Sequence, residues 1–150
     1  MAIFNSVKLS RPGFMQGLGN AAIYDDTVNV AGSLANGDVI NIMKVNAGCR
    51  LSLLSLFTPG GLGTGTVVKL GYAPLKASAA TRTPAVDNYF GANVSAFAAA
   101  TTNGQAFEPC FAPITFDDDV VITATVTTAP GTTTPGAITG VAMGDMVGIK

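Results

Sequence analysis

The run Val120-Val121-Ile122-Thr123-Ala124-Thr125-Val126-Thr127-Thr128 decides the fold class. Val120, Ile122, Ala124 and Val126 alternate with Val121, Thr123, Thr125 and Thr127. A period of two sends each set to its own face of a pleated strand. One face is apolar and the other mostly threonine, the pattern of a half-buried antiparallel strand. β-Branched residues fill the run, and their stiff side chains suit a pleated surface better than a helix. Turn chemistry bounds it on both sides: Asp117-Asp118-Asp119 before, and APGTTTPG over Ala129 to Gly136 after.

Strand composition extends outward from there. A final strand is expected from Ile138 to about Ile149, with Gly140, Gly144 and Gly148 marking bulges or close approaches. Upstream, Ala22 to Ala31, Asp38 to Val45, Arg50 to Thr58, Thr66 to Ala73 and Cys110 to Phe116 read as strands separated by Gly- and Pro-bearing turns. In Arg50 to Thr58, Leu51, Leu53 and Phe57 fall on one face and Leu54 and Leu56 on the other, implying a strand covered on both sides. Residues 74–109 form a long excursion. Its Ala-rich middle, Val86 to Ala100, has room for one short helix, although Gly91 and Val94 work against it. The expected fold is all-β: an antiparallel two-sheet sandwich, jelly-roll-like, of about seven or eight strands. Residues 21–150 would form its single domain.

Residues 1–20 read as an extended N-terminal arm, broken by Pro12, Gly13, Gly17 and Gly19. The arm is nonetheless apolar. Ile3, Phe4, Val7, Leu9 and Phe14 should dock on this subunit or on a neighbour, and Lys8 and Arg11 could pair with acidic groups of a partner. These seven residues are the candidate partner-binding set. No apolar h-region stands near the N-terminus, so no secretory signal is expected, and no run reaches membrane-spanning length.

Composition excludes several function classes. Charged residues make up 11% of the chain, under half of the roughly 25% usual in soluble domains, so much of the surface must be neutral or covered. A net charge of −1 gives no basic footprint for nucleic acid. There is no histidine, which removes the commonest general base and metal ligand. Cys49 and Cys110 are too few for a disulfide framework or a Cys₄ site and read as two buried thiols. The run Gly60 to Lys69 fails as a phosphate loop. Its lysine does not follow the last glycine and lies in an expected strand, so residues 59–65 read as a flexible connection. Asp117-Asp118-Asp119 fits no calcium loop and reads as a solvated turn, as does Asp25-Asp26 more weakly. No catalytic, cofactor or metal site is expected.

The order of motifs resembles a known layout. An arm leads to Gly37-Asp38-Val39-Ile40, then to Ala47-Gly48-Cys49-Arg50 feeding an apolar strand. Val67-Val68-Lys69-Leu70-Gly71-Tyr72 follows, then an excursion with Tyr89-Phe90 and Ala98-Ala99-Ala100, then an alternating hairpin over Val120 to Ile149. Over most of residues 20–150 this resembles small virion structural proteins of tailed bacteriophages, in particular jelly-roll capsid decoration (cement) proteins. The resemblance implies a non-enzymatic protein made in the host bacterial cytoplasm. It would sit on the outer capsid surface, bound to the major capsid protein and to itself as a homodimer or homotrimer, bridging neighbouring capsomers. Neither nucleic acid nor membrane would be a partner. The alternative is another phage structural sandwich, such as a head-to-tail, tail-tip or fibre module, the last able to bind a glycan.

Overall fold

A computed structural model describes residues 1–7, 20–98 and 107–148. Its strands, in chain order, are β1 (Ile3–Asn5), β2 (Ala21–Val30), β3 (Val39–Val45), β4 (Cys49–Phe57), β5 (Val67–Pro74), β6 (Val86–Val94), β7 (Ile114–Thr115), β8 (Val120–Thr128) and β9 (Gly136–Met146). They form a five-stranded sheet in the order β1-β3-β8-β5-β6 and a four-stranded sheet in the order β2-β9-β4-β7. Neighbours pair antiparallel, except that β1 runs parallel to β3. Inward side chains of both sheets merge in one apolar core, the all-β sandwich that the alternating patterns imply.

β8 lies inside its sheet, between β3 and β5. Its apolar set is buried as expected, and Val121 and Thr123 on the other face are also only 6% exposed. The first half of the strand is therefore covered on both sides. β4 departs from expectation in the opposite sense. Its register against β9 shifts between Leu51 and Leu53. A bulge adds one residue and resets the alternation, so Cys49, Leu51, Leu54 and Leu56 all reach the core while Leu53 turns outward. Apolar residues on two nominal faces thus become one buried face.

The excursion holds no α-helix among the described residues. Val86–Val94 pairs with β5 as an edge strand, and the helical part shrinks to single 3-10 turns at Ala77–Ala79 and Ala96–Ala98. Pairing to β5 supplies hydrogen bonds that an isolated Ala-rich turn would lack. The strand expected over Cys110 to Phe116 contracts to two residues, because Pro109 and Pro113 cannot donate to a ladder.

The glycine-rich loop is packed rather than flexible. Leu62 is fully buried, its N–H donates to the Phe97 carbonyl at 2.8 Å, and the Thr66 hydroxyl donates to the Gly63 carbonyl at 2.7 Å. Gly63 has φ of +115°, and a Cβ there would sit 2.5 Å from the Thr132 carbonyl oxygen, so only glycine fits.

Candidate interaction surface

Charged groups sit beside one another rather than around a cleft. In the acidic corner, Asp118 accepts from the Arg82 guanidinium and from the Thr83 hydroxyl at 3.0 Å. Asp119 accepts from Lys44 at 2.6 Å and from the Ala47 N–H at 2.9 Å. Burial alone would raise the Asp119 carboxyl, but these donors outweigh it and hold it below the usual carboxylate range. The Arg82 bonds act likewise on Asp118. The two carboxylates thus diverge onto different cations, and no cluster of three metal-ligating side chains occurs among the described residues. An open depression beside the corner is lined by Lys76, Ser78, Thr81 and the already paired Arg82 and Asp118.

Asp25 and Asp26 are not a turn. They lie within β2, where Asp25 faces outward and Asp26 inward at 4% exposure, with its carboxylate accepting the Thr27 N–H. Both cysteines are free thiols. Cys49 is buried, and burial pushes its pKa up, which keeps it protonated and unreactive. Cys110 is exposed, contrary to the expectation of two buried thiols, while its neighbour Phe111 packs against the core. The aromatic residues are spent on packing: Tyr72, Tyr89, Phe90, Phe111 and Phe116 interlock edge to face, with centroids as close as 4.8 Å.

What the described surface does offer is two apolar patches. The first belongs to the N-terminal segment. β1 is fixed by hydrogen bonds from Val39 N–H to the Ala2 carbonyl at 3.0 Å and from Ser6 N–H to the Asn41 carbonyl at 2.9 Å. Val7 N–H then donates to the Thr27 carbonyl of β2 at 3.0 Å, so the segment crosses from one sheet to the other. Asp38, on the turn before β3, accepts from the backbone N–H groups of Ala2 and Ala35, and these bonds hold its carboxyl below the usual range. Alternation along the strand turns Phe4 and Ser6 inward and leaves Met1, Ile3 and Val7 exposed, Ile3 at 56% and Val7 at 58%. Of the candidate partner-binding residues, Ile3 and Val7 therefore share an outward stripe, and Phe4 packs against the core. Lys8, Leu9, Arg11 and Phe14 lie outside the described residues.

The second patch escaped the sequence reading. Ile23 on β2 and Leu53 on β4 both pair with Met143 on the intervening β9. The three make a row across the outer face of the four-stranded sheet, each 41–43% exposed. They are 30 and 90 residues apart, so only strand register brings them together. The bulge that turns Leu53 outward leaves no mark in the sequence that alternation could detect.

No family model and no curated protein sequence matches this chain. Solved structures do. The fold is similar over 97% of this chain and 98% of the other to a chain from the capsid of Ralstonia phage GP4, with a TM-score of 0.72 and 14% identity. It is similar over 90% and 91% to a chain from the cyanophage Pam1 capsid asymmetric unit, with a TM-score of 0.63 and 12% identity. Likeness at that identity concerns the fold, and it extends over nine-tenths or more of the chain in both cases.

Proposed function

We propose that this protein is a structural component of a phage virion that binds the outer surface of the assembled capsid and stabilises it by bridging neighbouring capsomers. The observation that carries the proposal is the fold likeness, over at least 90% of the chain, to two chains taken from phage capsids. The described surface supports it, since Lys44, Lys69 and Arg82 are paired with carboxylates of the same chain and Ile3, Val7, Ile23, Leu53 and Met143 are exposed apolar groups suited to protein contact. Its partners would be the major capsid protein and further copies of itself, and it would perform no catalysis. Each contact can be weak, because many linked copies on a shell raise avidity without any single strong site.

The N-terminal segment is the proposed attachment element. Replacing the exposed Ile3 and Val7 together by Asp leaves the β1 backbone bonds available while charging the stripe. Folding stability should change by less than about 0.5 kcal/mol per site, the surface range. Co-sedimentation with undecorated capsids should weaken at least tenfold, and unchanged binding would remove the segment from the interface.

A further inference from the structure

We propose that the outer face of the four-stranded sheet is a two-fold interface with a second copy of this chain, its axis running along the row Ile23–Met143–Leu53. This names the self-association surface left open by the structural reading above and rests on that reading only for its setting.

Strand register fixes which groups share this face. On the outer face, Arg50 and Asp145 pair one step beyond the Leu53–Met143 pair, and Ser55 and Val141 pair one step before it. On β2 the matching positions are Ala21 and Asp25. Ser55 is itself covered, because its hydroxyl donates to a Glu108 carboxylate oxygen at 2.9 Å and so holds that carboxylate over this corner of the face. A two-fold axis along the apolar row turns the face over and exchanges the steps on either side of it. Ile23, Met143 and Leu53 then each meet their own copy. Arg50 lands on the partner's Ser55 corner, where the partner subunit's Glu108 waits, and the contact occurs twice by symmetry. Asp145 falls opposite Val141, and Asp25 opposite Ala21, so no like charges lie directly opposite one another.

The opposite outer face lacks this arrangement. Its lysines are already engaged within the chain, Lys44 with Asp119 and Lys69 with Asp87. Among the described residues Arg50 makes no such ion pair. The Arg50–Glu108 match, made twice by symmetry, is therefore what favours a second copy on the four-stranded sheet. Three strands at about 4.8 Å spacing and some nine residues in length give a footprint on the order of 400 Å² per copy. That is about half the roughly 800 Å² per partner of a standard interface, so the dimer should be weak and concentration-dependent.

Sedimentation velocity from about 10 to 500 μM tests this without any capsid, so its failure is separate from failure of the virion reading. All variants carry Cys110→Ser to prevent adventitious cross-linking. The parent should shift towards dimer across the series. Arg50→Glu and Glu108→Arg should each weaken the dimer about tenfold or more, and the double reversal should recover most of the loss. Glu108→Gln, which keeps an acceptor for Ser55, should also weaken it, separating charge from local folding. Met143→Lys should leave a monomer with an unchanged circular dichroism spectrum. A parent that stays monomeric throughout, a dimer indifferent to these changes, or single reversals that the double does not rescue would each overturn the proposal.

Discussion

Gly144 shows how single positions set the fit of the four-stranded sheet. A Cβ there would lie 2.4 Å from the Arg50 carbonyl oxygen and 2.9 Å from the Cys49 sulfur. Backbone cannot yield as a side-chain tip does, so Gly144→Ala should cost about 1–3 kcal/mol in a denaturant titration, the usual range for overpacking. The close approach was legible as a glycine inside a strand pattern, although its partner strand was not. Ile122 makes the complementary case. It is fully buried on β8, and Ile122→Ala should lose about 2–5 kcal/mol. A loss below about 0.5 kcal/mol would place it on a surface instead.

At the scale of elements, one carboxylate reinforces the start of the N-terminal strand. Asp38 receives the Ala2 and Ala35 N–H groups, and its folded pKa lies below the unfolded value of about 3.9. A depressed carboxyl pKa contributes stability that is present above the unfolded value and is lost as pH falls through the folded one. Amide exchange at Ser6 and Val39 should therefore accelerate, relative to the core of β8, as pH falls below about 4. Asp38→Asn should reproduce that loosening at neutral pH, at a cost of about 1–3 kcal/mol for bonds to a charged group. Equal protection of Ser6 and Val39 in parent and variant at pH 7 would show that the carboxylate does not hold the segment. The strands β2, β3, β5, β8 and β9 were legible because alternation and turn residues agreed. The excursion was not, because Ala-rich sequence is compatible with a helix until a neighbouring strand supplies hydrogen bonds. The parallel pairing of β1 was equally hidden, since three residues carry too little pattern to announce a strand.

Across the whole molecule, the shortage of charge resolves into a division of labour. Lys44, Lys69 and Arg82 are paired with Asp119, Asp87 and Asp118. Exposed pairs of this kind add little stability, but they leave Arg50, on the four-stranded sheet, as a cation with no ion pair among the described residues. The outer face of the four-stranded sheet and the stripe at Ile3 and Val7 are what remains for other protein. The exposure of Ile3 and Val7 was not readable from the sequence, which marks no strand at β1, and the row on the sheet needed three strands in register. The most direct test is cryo-electron microscopy of the purified virion that contains this protein. The expected result is a sandwich-shaped density on the outer shell, contacting more than one capsomer, with the Ile3–Val7 segment against the capsid. Density confined to the tail or portal, or none on the shell, would contradict it.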